Sequence, residues 1–118
     1  MNGKALLVED EFLIRELAFE YLSDAGFDTT MANSADQGLS ILREDKSFDL
    51  LFTDIRMPGG IDGRQLATEA SRLVEGIRIV FATGYLDEAV QLEEGQKLIQ
   101  KPYSMNAVRE VLSELGFS

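Results

Sequence analysis

The sequence contains no cysteine and no histidine, has only two prolines, and carries 11 basic residues against 21 acidic ones. Without cysteine or histidine there is no disulfide, no thiolate nucleophile, no Cys/His zinc site, no histidine general base and no phosphohistidine. The missing cysteines permit a reducing compartment without proving one. A net charge of −10 on 118 residues opposes binding to nucleic acid or anionic lipid and leaves hard cations and basic partners. Four apolar residues, 5–8, precede the first acids, too few for a signal-peptide core or a membrane span. The expectation is a cytoplasmic protein with neither a nucleic-acid nor a membrane partner.

A chain of this length suits one domain with a single core and two flanking layers. No repeat, low-complexity stretch or Pro/Ser-rich linker divides it, so residues 1–118 are expected to form one domain without an output domain. Short apolar runs at residues 5–8, 48–53, 78–82 and 98–100 have the length and bounds of buried strands, and a weaker strand is expected over 28–32. Helical spacing separates them. Residues 12–25 place Phe12, Leu13, Leu17, Ala18, Tyr21, Leu22 and Ala25 at intervals of three and four, which predicts one apolar face. Ser34 and Gln37 have capping-box spacing before a helix that runs to about Asp45 and buries Ala35, Leu39 and Leu42. A third helix is expected over 63–74, opened by Asp62 and Gly63. Ser104 caps a last helix that carries Val108, Val111, Leu112 and Leu115 and stops at Gly116. Residues 86–95 make the weakest helix, because Glu93 and Glu94 oppose the dipole at its C-terminal end; a short or mobile element is expected there.

Strands alternating with helices imply an α/β fold: five parallel strands, order 2-1-3-4-5, doubly wound with helices on both faces. Ligands in such sheets bind beyond the carboxyl ends of the strands, where this sequence places polar groups. The first strand ends in Glu9-Asp10, the third in Asp54, the fourth in Thr83-Gly84 and the fifth in Lys101-Pro102. Three carboxylates in one crevice repel unless protonated or neutralised, and a divalent cation together with Lys101 balances them. Oxygen-only ligands favour Mg²⁺ or another hard divalent cation.

The segments Leu6-Leu7-Val8-Glu9-Asp10-Glu11, Thr53-Asp54-Ile55-Arg56-Met57-Pro58, Ala82-Thr83-Gly84 and Lys101-Pro102-Tyr103 together resemble the receiver domain of two-component response regulators, a flavodoxin-like fold. The resemblance covers essentially the whole chain. It implies that Asp54 accepts a phosphoryl group from a histidine kinase, and that Asp10, Asp54 and the backbone carbonyl of Arg56 ligate Mg²⁺ with Glu9 assisting. It further implies that Lys101, Thr83 and the backbone N–H groups of Arg56 and Gly84 meet the phosphoryl oxygens, and that Lys101-Pro102 is a cis peptide. No side-chain role is implied for Arg56. The chain would then be a phosphorylation-dependent switch, read by a partner protein or acting as a phosphate sink.

Two departures from the common receiver pattern stand out. The loop after Asp54, Met57-Pro58-Gly59-Gly60-Ile61-Asp62-Gly63, is one residue longer, and its paired glycines imply a loose backbone or positive φ. Leu98 stands where many receivers carry an aromatic switch residue. Phe81-Ala82-Thr83-Gly84-Tyr85 instead resembles a receiver subgroup associated with HWE-class histidine kinases, which implies Tyr85 as the aromatic reporter. Competing readings are an aspartyl-phosphate hydrolase of the haloacid dehalogenase type, a flavodoxin-like redox carrier and a pseudo-receiver that is never phosphorylated. The hydrolase needs an acid two residues after its nucleophile, where this chain has Arg56, and a flavin phosphate disfavours the acids 9–11.

Overall fold

A computed structural model describes residues 2–84 and 90–118. Among the described residues, helices separate the first four strands and β5 follows β4 with no described helix between: β1 (Gly3–Val8), α1 (Phe12–Asp24), β2 (Phe27–Ala32), α2 (Ala35–Glu44), β3 (Leu50–Asp54), α3 (Gly63–Leu73), β4 (Arg78–Thr83), β5 (Gln96–Gln100) and α4 (Met105–Glu114). All strand pairs are parallel and the order is β2-β1-β3-β4-β5, as the alternation of elements predicts. Strand bounds differ from the apolar runs by a residue or two, because backbone pairing does not depend on apolar side chains: β1 and β5 begin two residues before their runs, and β3 begins two residues after Phe48.

Successive strand residues face opposite sides of the sheet. Leu6, Val8, Leu51, Ile79 and Phe81 therefore pack with Ala35, Leu42, Leu66, Ala67 and Ala70 from α2 and α3. Ala5, Leu7, Leu50, Phe52, Val80 and Ala82 pack with Ala18, Leu22, Val108 and Leu112 from α1 and α4. Every residue of β3 is buried, as expected for a central parallel strand covered on both faces. Each fully buried leucine or phenylalanine here stabilises the fold by about 1.5–3 kcal/mol.

The helix starts follow the sequence signals. Ser34 Oγ accepts from Gln37 N at 3.1 Å while Gln37 Oε1 accepts from Asn33 N at 2.7 Å, one residue earlier than the usual reciprocal bond. Asp62 and Gln65 form a full capping box on α3, and Ser104 caps α4 through Ala107 N. Leu39 is only partly buried, unlike Ala35 and Leu42.

Helix α1 corrects the sequence reading of its apolar face. Ala18 and Leu22 are buried, whereas Phe12, Leu13 and Leu17 are 61%, 76% and 41% exposed. At about 100° per residue, Leu17 lies roughly 100° and Leu13 roughly 140° around the axis from Ala18. The arc that meets the sheet is Ile14, Ala18, Tyr21, Leu22 and Ala25. Intervals of three and four link the other three residues to this arc without putting them on it. The expected weak helix over 86–95 lies partly outside the described residues; its described part, 90–95, is not helical. No described helix is long and apolar enough to cross a membrane.

Candidate functional site

Strand register brings the candidate residues together at the carboxyl ends of the strands. Val8 pairs with Thr53, Asp54 with Ala82, and Thr83 with Gln100, so Glu9, Asp54, Thr83 and Lys101 all emerge within one or two residues of the same level. The geometry assembles them as the strand-end pattern implies. Carboxylate oxygens of Glu9, Asp10 and Asp54 lie within 4.8 Å of one another. Lys101 Nζ stands 2.7 Å from Glu9 Oε1 and 2.9 Å from Asp54 Oδ2, and the Lys101-Pro102 bond is cis. Lys101 N also donates to the Thr83 carbonyl at 2.7 Å, which ties the lysine to the end of β4.

The burial of these groups is unusual for their type. Charged side chains are rarely buried without a partner, and here Glu9 is 2% and Asp54 8% exposed. Glu9 Oε2 accepts from Glu11 N at 3.1 Å; Glu9 Oε1 pairs with the Lys101 ammonium without directed hydrogen-bond geometry. Burial pushes the Glu9 carboxyl above its ordinary pKa, and the Asp54 charge adds to this against the opposing pull of Lys101. Burial likewise raises Asp54, with repulsion from Asp10 adding and Lys101 and the Ile55 N–H opposing. Burial would lower Lys101, but its bonds to Glu9 and Asp54 outweigh that and raise it. The site thus holds more negative charge than it neutralises. Its donors are all oxygen, the ligand set that suits a hard divalent ion.

Thr83 is buried beside this group, whereas Asp10, Arg56 and Gly84 are exposed. Tyr85 lies outside the described residues. Leu98, in place of the common aromatic, is 37% exposed on the edge strand β5.

Three supporting residues escaped the sequence reading. Thr53 is fully buried and its hydroxyl donates to the Asp54 carbonyl at 2.9 Å; a threonine in a strand gives no sign of this. Gly63 does open α3 as its sequence position suggests, but a Cβ there would also overlap the Asp54 carbonyl. Arg15, from α1, donates through Nη1 to the carbonyls of Glu9 at 2.9 Å and Asp10 at 3.4 Å. The longer loop takes the form its glycines suggest: Gly59 has φ +79°, and the Gly60 backbone lies against the Asp36 carboxylate.

The chain is 29% identical to sporulation initiation phosphotransferase F of Bacillus subtilis, a match covering 97% of this chain and 94% of that protein. It is also 29% identical to the response regulator receiver protein CpdR of Brucella abortus, over 95% of this chain and 92% of that one. Other curated relatives are transcriptional regulators of which this chain spans less than half the length. Among solved structures, response regulator protein TrrA of Thermotoga maritima in complex with Mg²⁺ and BeF superposes with a TM-score of 0.83 at 27% identity, covering 98% of this chain and 99% of that one. The family model described as the response regulator receiver domain matches residues 5–113, a span that takes in every strand end just described, and the chain belongs to that family.

Proposed function

We propose that this receiver domain is a switch in which Asp54 accepts a phosphoryl group from a histidine kinase in a Mg²⁺-dependent reaction. The observation that carries this reading is the pairing of a buried Asp54 with Lys101 at 2.9 Å, inside a cluster of three carboxylates. An Asp54 carboxylate oxygen attacks phosphorus and forms a P–O bond. The P–N bond of the phosphohistidine breaks, its electron pair stays on the imidazole, and the imidazole takes up a proton from solvent. The product is an acyl phosphate.

Little covalent chemistry is asked of the protein, so positioning and electrostatics dominate. Lys101 turns from the Asp54 carboxylate to the charge on the phosphoryl oxygens. The Thr83 hydroxyl and the N–H groups of Arg56 and Gly84 donate to those oxygens. Asp10, Asp54 and the Arg56 carbonyl, with Glu9 direct or through water, would hold a hard divalent ion, which would supply neutralisation of the converging negative charges.

Contacts between phosphate and Thr83 exist only in the phosphorylated state and so favour one arrangement of the face built from β4, β5 and α4. A partner protein reads that face, or the domain serves as a phosphate sink. Tyr85 is proposed as the aromatic reporter in place of an aromatic at position 98, and an HWE-class enzyme as the kinase. The donor reaches Asp54 over the rim where Phe12, Leu13 and Leu17 are exposed. Leu17 also lines a groove of about 280 Å³ with Ile14, Lys101, Pro102 and Tyr103, so this rim suits an apolar helix of the donor protein.

The test is incubation with acetyl phosphate. One phosphoryl group per chain, labile to hydroxylamine and absent when Mg²⁺ is chelated, is expected. Phosphorylation unaffected by chelation would contradict the metal-dependent reading, and multiple turnover of small phosphoesters would favour a hydrolase.

A further inference from the structure

We propose that Arg15 is a positioning residue for the divalent-ion site, acting through the backbone of Glu9 and Asp10 rather than by touching the ion. These two acids occupy consecutive positions in the turn between β1 and α1, so the direction of both carboxylates depends on how firmly that turn is held. The usual device for fixing such a turn is absent: the N-cap residue Glu11 makes no side-chain capping bond and the first turn of α1 contains no acid. Arg15 supplies the constraint from the next turn of the helix. Its Nη1 is shared between the Glu9 carbonyl at 2.9 Å and the Asp10 carbonyl at 3.4 Å, and the Phe12 ring lies 5.6 Å from its Cζ. An arginine is suited to this because its planar group donates in a fixed direction while stacking on an aromatic face. Among the described residues, the turn is also held by Glu9 N on the Ala32 carbonyl at 3.1 Å and by Glu11 N on Glu9 Oε2. Neither of these contacts fixes Asp10.

The charge and the hydrogen bonds of Arg15 act in opposite directions on a cation, which makes the inference testable by sign. A guanidinium held against the backbone of Glu9 and Asp10 repels an incoming divalent ion, so removing it strengthens binding if charge is all it contributes. If its role is to hold the turn, removing it frees Glu9 and Asp10 and weakens binding despite the lost repulsion. The inference rests on the reading of Glu9, Asp10 and Asp54 as the ion's ligands.

The experiment is calorimetric titration of the unphosphorylated protein with Mg²⁺ alone, comparing wild type, Arg15→Met and Phe12→Ala, with thermal unfolding of each in chelator. Arg15→Met, similar in length but without donor or charge, is expected to bind Mg²⁺ about threefold to tenfold more weakly, the loss of hydrogen bonds from a charged donor being partly offset by the lost repulsion. Phe12→Ala, a change at an exposed residue, is expected to weaken binding about twofold with no change in charge. Equal or tighter binding by Arg15→Met would overturn the positioning role while leaving the ion site intact. If Arg15→Met does not fold, unchanged affinity in Phe12→Ala would overturn it instead. A wild type that binds no Mg²⁺ would overturn the ion site itself, a different failure.

Discussion

Lys101 spans two strands of the sheet, its ammonium 2.9 Å from Asp54 at the end of β3 and its own N–H on the Thr83 carbonyl at the end of β4. One residue therefore couples the proposed phosphoacceptor to the proposed switch threonine. In the unphosphorylated chain the same ammonium pairs with the buried Glu9. Removing it leaves two buried carboxylates without a cation. Lys101→Ala is expected to lose about 3 kcal/mol of stability at pH 7, less near pH 5, where the raised carboxyls of Glu9 and Asp54 take up protons instead. Chemical denaturation at the two pH values checks this, and equal losses would contradict it.

Asp54 carries a cost that pH reveals. Its carboxyl is raised in the folded protein, chiefly by burial, so the native state holds a proton where the unfolded chain has released it. Stability from this group is thus lost as pH rises from the ordinary carboxylate range through the folded value. Asp54→Asn removes that loss. Its thermal midpoint in chelator, relative to wild type, is expected to climb between pH 4 and pH 7 and to end a few degrees higher, at about 4–8 °C per kcal/mol. Mg²⁺ at a hundredfold excess over the dissociation constant should stabilise wild type by about 2.7 kcal/mol and the variant by less.

Gly63 is expected to tolerate no side chain. A Cβ would overlap the Asp54 carbonyl, a backbone atom that cannot swing aside. Gly63→Ala should cost about 1–3 kcal/mol and slow phosphorylation by acetyl phosphate, because the strain falls on Asp54 itself. Retention of both stability and rate would show that the loop gives way more easily than its packing suggests.

Leu13 separates encounter with a protein donor from chemistry. It is 76% exposed. Leu13→Ser is expected to slow transfer from a phosphorylated histidine kinase by about tenfold, from about 1.4 kcal/mol of lost apolar burial at the interface, and to leave the rate with acetyl phosphate unchanged. Equal effects on both donors would place Leu13 in folding rather than docking.

Much of the site was legible because it sits at strand ends, where short apolar runs stop abruptly. Asp54 follows the fully buried β3, and Glu9-Asp10 follow Val8 directly. Register then aligns those ends without further information. The supporting contacts were less visible. Arg15 acts through carbonyls, Thr53 through a backbone bond and Gly63 through a close approach, and none of these depends on a residue pattern of its own. The face of α1 was misread for a related reason: Phe12, Leu13 and Leu17 are apolar at helical intervals, but the arc that packs is set by where the sheet lies. Leu98 shows the limit from the other direction, since the sequence registers the missing aromatic and only the edge position of β5 explains why a leucine there stays partly exposed.

The most direct test of the proposed phosphoacceptor compares the intact mass of wild type and Asp54→Ala after incubation with acetyl phosphate and Mg²⁺. A single phosphoryl adduct on wild type and none on the variant is the expected result. An adduct of equal yield on Asp54→Ala would contradict the assignment and move the chemistry to another residue.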